Sequence, residues 1–115
     1  MRYAIGVHST MRFIETPIFT RRIVELLDDD RYSAMQIALV LRPQLGRVIQ
    51  RSGGLRKLRW PIPGGGKSGG LRVIYHWHEA TETFYMLYVF GKSEREDLTA
   101  QQLRVLSRVV REEFP

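Results

Sequence analysis

The chain has 115 residues, 43% of them hydrophobic and 26% charged, and contains no cysteine. That composition fits one globular domain with its own core, and it excludes disulfides, thiolate metal sites and wholesale disorder. The net charge of +6 is unevenly spread: no acid occurs from Arg31 to His78, while Arg31, Arg42, Arg47, Arg51, Arg56, Lys57, Arg59, Lys67 and Arg72 all do. A block of one sign points to a polyanionic partner, nucleic acid foremost.

No apolar run approaches the ~20 residues of a membrane span, so no membrane partner is expected, and the absence of cysteine fits a cytoplasmic setting. The opening MRYAIGVHST lacks the apolar centre of a signal peptide. Residues 1–10 are read as a disordered extension ahead of Met11, and residues 11–115 as one domain.

Arg12–Glu15 predicts a first strand. Thr16-Pro17 starts a helix, a hydroxyl cap followed by proline at the first helical position. Ile18, Phe19, Ile23, Leu26 and Leu27 recur at helical spacing, with Arg21, Arg22 and Glu25 on the wet side. Asp28-Asp29-Asp30 ends that helix and offers carboxylates to the next. Three consecutive aspartates cannot converge on one ion, so capping is the reading rather than metal. Arg31–Leu41 predicts the second helix, buried through Tyr32, Met35 and Leu39, with Ile37 and Val40 beside them. Pro43 and Gly46 stop it, and Arg47–Ser52 links to the Gly53-Gly54 turn.

The pattern then changes to period two. In Leu55–Trp60, Arg56, Leu58 and Trp60 share one face, and Leu55, Lys57 and Arg59 share the other. Leu58 and Trp60 are taken as the core side, which leaves Lys57 and Arg59 projecting together. In Leu71–His78, Leu71, Val73, Tyr75 and Trp77 alternate with Arg72, Ile74, His76 and His78. Phe84–Phe90 is apolar on both sides, as a central strand is. Glu79–Glu82 joins these two strands as a hairpin. Gly91 closes the sheet, and Thr99 with Gln102 forms a capping box before a helix striped by Leu103, Leu106, Val110 and Phe114. The fold class is therefore α+β: strand, two helices, three-stranded antiparallel meander, C-terminal helix.

Gly66-Lys67-Ser68 imitates the end of a phosphate-binding P-loop. That motif needs glycine at position 61, where Pro61 stands, and a helix afterwards, where a strand is predicted. Nucleotide hydrolysis is rejected, and Lys67 is left as a loop cation reaching for a phosphate backbone. His76 and His78 share a strand face, but no third ligand has useful spacing, so no metal and no cofactor are expected. No serine or cysteine nucleophile pattern and no carboxylate pair is visible. Lysine and arginine chemistry suits phosphodiesters, by gripping phosphate oxygens and stabilising charge as it develops. Arg56, Arg59 and Arg72 are expected to crowd Lys57 and ease loss of its proton, so that it serves as a base. Arg51, Arg56, Lys67 and His76 are taken as RNA-binding residues.

GGLRKLRW (53–60), a Gly/Lys loop, GGLRVIYHW (69–77) and FYMLYVFGKSEREDLT (84–99) together resemble the RelE/ParE-superfamily toxins of type II toxin–antitoxin systems, from Met11 onward and closest to the HigB-type branch. The resemblance implies a microbial-RNase-like α+β fold. It also implies ribosome-dependent cleavage of A-site mRNA by attack of a 2′-hydroxyl on its own phosphodiester, inhibiting translation. It places the catalytic set on Lys57, Arg59, Arg72 and Lys92, and implies a helix-turn-helix antitoxin partner. Two positions depart from RelE: Ser93 stands where it has an arginine and Thr99 where it has a tyrosine, which leaves Lys57 as the base. The alternatives are inhibition of DNA gyrase, as ParE members of the fold do, and a non-catalytic RNA- or ribosome-binding module.

Overall fold

Three helices clasp one twisted sheet from both sides. In the computed structural model the described residues are 2–3, 10–62, 70–95 and 97–114, with only the backbone at 2–3. The strands are β1 (Arg2–Tyr3), β2 (Arg12–Glu15), β3 (Arg47–Val48), β4 (Arg56–Trp60), β5 (Leu71–His78) and β6 (Thr83–Gly91). The helices are α1 (Pro17–Leu26), α2 (Asp29–Leu41) and α3 (Ala100–Glu113). The sheet order is β1-β2-β6-β5-β4-β3. The predicted meander is β4–β5–β6, paired antiparallel throughout. The sheet is larger than predicted, because β2 joins β6 in parallel and the two-residue β1 and β3 line its edges. The extension expected at residues 1–10 falls mostly outside the described residues, although the backbone of Arg2–Tyr3 pairs with Arg12 and Phe13.

Local chemistry fixes the helix ends. Thr16 Oγ1 accepts the Phe19 N–H at 3.1 Å and Asp28 Oδ1 accepts the Arg31 N–H at 2.8 Å. The capping box holds in both directions, Thr99 N–H to Gln102 at 2.9 Å and Gln102 N–H to Thr99 at 3.1 Å. Each bond satisfies an amide the helix itself leaves open.

The first two helices bury Phe19, Ile23, Leu27, Tyr32, Met35 and Leu39 against Phe13, Leu58, Val73, Tyr75, Phe84, Met86 and Val89 of the sheet. The opposite face carries a second core, as the two-sided apolar pattern of Phe84–Phe90 requires. There α3 seals this core of Leu55, Ile74, Leu87, Phe90 and Val110, with Leu103, Leu106 and Phe114 packed on it. A bulge in β6 makes this possible: Ile74 pairs with Tyr88 but Tyr75 pairs with Met86, so Leu87 is the extra residue. An extra residue resets the side-chain alternation, and Leu87 and Tyr88 both reach the α3 side. Thr16 fixes the bulge by donating its hydroxyl to the Leu87 carbonyl at 2.8 Å.

Candidate nucleic-acid interface

The register of β4 and β5 decides which cations meet. Directly opposed residues of an antiparallel pair point to the same side of the sheet. Lys57 opposes Ile74 and Arg59 opposes Arg72. Arg47 opposes Lys57 from the edge strand. Arg47, Lys57, Arg59 and Arg72 therefore share the α3 side of the sheet, beyond the second core. Arg59 and Arg47 are exposed, Lys57 is half-buried, and Arg72 retains only 8% of its surface. Leu45, Arg47, Lys57, Arg59, Trp60 and Pro61 help line an open groove of about 690 Å³ along this edge.

Arg72 is the unusual member. Among the described residues its guanidinium donates only to the Leu71 carbonyl, at 3.4 Å, and meets no carboxylate. A buried cation without a counter-charge is costly, and a bound anion would supply one.

Lys57 already has a counter-charge. Its Nζ donates to Asp97 Oδ2 at 2.9 Å, and Asp97 Oδ1 accepts the Leu98 N–H at 2.8 Å. Burial pushes the Asp97 carboxyl up, but the Lys57 and Leu98 hydrogen bonds and the Lys57 and Arg59 charges outweigh it and hold the group below its usual 3.8. Asp97 was not anticipated from sequence, because it is 40 positions from its partner in a loop. That loop is tied down by Arg22 of α1, which donates Nε to the Val89 carbonyl at 2.7 Å and pairs with Glu94. Glu94 also accepts the Gly91 N–H at 3.0 Å. Arg22 is thus half-buried and structural, not on a wet face.

The other predicted residues scatter. Lys92 stands in the turn after β6 and donates its N–H to the Gly70 carbonyl at 3.0 Å, placing it at the Arg72 end of the sheet. Arg56 does not crowd Lys57. It opposes Tyr75 on the other face, and its guanidinium donates to the Gly46 carbonyl at 2.8 Å. Arg51 is exposed beyond β3, with a left-handed φ of 61°. His76 shares the α3 face but lies under the far helix end, stacked on Phe114 at 4.7 Å, with Nδ1 3.1 Å from the Gly54 carbonyl. Its Nε2 is buried with no partner among the described residues. Lys67 and the glycine loop lie outside the described residues. Among the described residues no cluster of His, Asp and Glu could hold a metal ion, and no helix is long and apolar enough to cross a membrane.

One comparison with known proteins bears on this arrangement. The family model described as the RelE toxin of the RelE/RelB toxin–antitoxin system matches residues 41–113, a segment from the end of α2 to the end of α3 that includes Arg47, Lys57, Arg59, Arg72 and Lys92.

Proposed function

The chain belongs to the RelE toxin family of toxin–antitoxin systems, and from that premise we propose that it is a metal-independent endoribonuclease of the HigB-type branch that cleaves mRNA in the ribosomal A site, in the cytoplasm. The supporting observation is the cation group that the β3–β4–β5 register gathers on one face. In this reading a scissile phosphate sits between Arg59 and Arg72. Arg72, held by the sheet on the edge of the second core, stabilises charge as it builds on the phosphate oxygens. Preorganisation of this kind costs no rearrangement at the moment of reaction. The ribose 2′-hydroxyl attacks the adjacent phosphorus, the bond to the 5′-oxygen breaks, and a 2′,3′-cyclic phosphate remains. Lys57, paired with Asp97 in the free protein, serves as phosphate ligand; it can accept the hydroxyl proton only after leaving Asp97 and shedding its own. Lys92, at the same sheet end, positions RNA or assists the leaving oxygen. The neutralising partner is an antitoxin with a helix-turn-helix domain whose acidic segment covers this face.

The test is translation in vitro with primer extension across the message, comparing wild type with Arg72→Ala and Arg72→Lys. Wild type should generate discrete ribosome-dependent ends. Arg72→Ala should lose at least ~100-fold of that rate, the size seen when one preorganised donor is removed. Intact message with wild type, or full cleavage by Arg72→Ala, would sink the reading. Intact message accompanied by DNA damage would select gyrase inhibition instead.

A further inference from the structure

A second cationic surface lies beside the first, and no acid–base chemistry is visible in it. Arg104, Arg108 and Arg111 recur along α3 at positions i, i+4 and i+7, which puts them in one stripe. The stripe spans about 10 Å at 1.5 Å per residue. Across from it stands Arg51. These four arginines, with Gln50, Leu103, Ser107 and Glu112, line a groove of about 570 Å³ between α3 and the β3–β4 turn. Arg104, Arg108 and Arg51 are exposed. None of the four arginines forms an ion pair among the described residues, although Glu112 shares the groove.

The groove is built into the fold. Arg51 adopts its left-handed conformation beside Gly53, whose own φ is 77°. Arg111 donates its guanidinium to the Arg51 carbonyl, and its side chain lies against Gly53, where an added Cβ would stand 2.9 Å from the Arg111 Cγ. Turn and helix are thereby held at a fixed separation. The groove also adjoins the first site along the chain. Gln50 and Arg51 follow directly on Arg47–Ile49, which line the groove that contains Lys57 and Arg59.

We propose that this α3–turn groove binds the phosphate backbone of RNA flanking the segment at Arg59 and Arg72, as a second polyanion subsite. The inference rests on the RNA reading above. Its distinguishing content is that affinity for long RNA depends on residues remote from the reacting phosphate. A single-strand groove tracks backbone and tolerates any sequence, which arginines lacking acidic partners can do. An acidic polypeptide is the competing occupant. The observations favour RNA because residues 47–51 place the two cation sets side by side along the chain, Arg47 with Lys57 and Arg59 in one groove and Arg51 with the α3 arginines in the next, as successive phosphates of one strand require.

The test uses the full chain and fluorescein-labelled oligouridylates of ~4 and ~12 nucleotides, lengths that bracket the usual single-strand site sizes, with 2′-deoxy substitution to prevent cleavage. Arg104→Gln with Arg108→Gln should weaken the long oligomer several-fold and lower its salt slope by about 0.7 for each phosphate no longer neutralised, leaving the short one unchanged. Arg108→Glu alone should weaken the long oligomer further. Unchanged thermal unfolding establishes that the variants fold. Equal affinity and slope for the long oligomer overturn the proposal. So does retention of RNA binding with loss of binding to an acidic peptide. Failure of wild type to cleave message, with arginine-dependent binding of the long oligomer intact, removes the nuclease reading and leaves the groove standing.

Discussion

Replacing Asp97 with asparagine tests whether the free protein holds its own stand-in for phosphate. The side chains differ by one charge and almost nothing in shape. In the wild type the Asp97 carboxylate sits 2.9 Å from Lys57 Nζ, with side-chain exposures of 57% and 20%. A pair this exposed is worth about 0.5–1 kcal/mol, since water screens it and holding the side chains costs entropy. An arriving phosphate must either displace the carboxylate or lie beside it. Displacement forfeits that 0.5–1 kcal/mol. Coexistence at roughly 6 Å costs about 0.7 kcal/mol in fully water-like surroundings and about 2.8 kcal/mol at an effective dielectric near 20. The two routes are alternatives, so the penalties do not add. The cheaper route sets the penalty at no more than about 1 kcal/mol, so removing the charge should tighten RNA binding by about 2- to 5-fold at low salt, at 1.4 kcal/mol per decade.

Fluorescence anisotropy with a 2′-deoxy-substituted oligomer gives the affinity directly. The gain should shrink as salt rises, because the interaction is screened beyond ~10 Å at 0.1 M. The same variant should lose no more than ~1 kcal/mol of stability. Because the folded pKa of Asp97 is depressed, its stabilising contribution is present above the ordinary value of 3.8 and is lost only as pH falls through the lower folded value. Neutral and mildly acidic buffers therefore leave the comparison unaffected. Unchanged or weaker RNA binding by Asp97→Asn would refute the competition argument and recast Asp97 as a residue that orients Lys57 for RNA.

Two further outcomes follow from buried polar groups. Tyr75 is fully buried, and its hydroxyl accepts the Gly46 N–H at 2.9 Å and donates to the Pro43 carbonyl at 2.7 Å. Tyr75→Phe strands both backbone groups and should cost about 1–3 kcal/mol, seen as a lower urea midpoint and faster amide exchange around β3; an unchanged midpoint would contradict the assignment. Burial pushes the His76 pKa below 6.5, the Gly54 carbonyl opposes this, and the His78 and Arg56 charges reinforce it. The unfolded chain then takes up a proton that the folded one resists, so this contribution should be complete above the ordinary value of 6.5 and decline as pH falls below it toward the lower folded value. His76→Phe, which keeps the stacking on Phe114, should flatten that part of the melting-temperature profile, and an identical slope would show that His76 does not cause it.

Much of the scaffold was legible because its signals are local. Thr16-Pro17, Asp28 and the Thr99/Gln102 pair each cap the helix they were expected to cap. Arg12–Glu15 is a strand with the predicted bounds, and Met35 is core. The parity of Leu55–Trp60 correctly paired Lys57 with Arg59. The core side was taken from Leu58 and Trp60, but alternation records which residues share a side, not what covers that side. Leu55 and Ile74 are fully buried beneath α3, a layer whose placement depends on the β6 bulge and on connections far along the chain. Arg56 was expected to crowd Lys57 although the same alternation puts the two on opposite faces, and there the register keeps them. Asp97, Arg47 and the α3 arginines join the surface through tertiary packing alone, and no spacing rule reports that.

The register also bears on the proposed phosphate site. Arg59 and Arg72 are direct cross-strand partners, a placement that puts Cβ atoms about 4.5–5.5 Å apart and is destabilising for like charges. A sheet selected only for stability would put an acid or a neutral residue at one of the two positions. The fold tolerates the repulsion because the strands carrying it are fixed elsewhere: β5 by Val73, Tyr75 and Ile74 in two cores, and β4 by Leu58 on one side with Leu55 just before it on the other. Packing fixes the two strands, so an anion between the Arg59 and Arg72 side chains would meet both charges without the backbone having to gather them. Asp97 answers Lys57 on the same face, at one remove from Arg72. Like charges on paired positions repel, and an anion entering between them would relieve that repulsion.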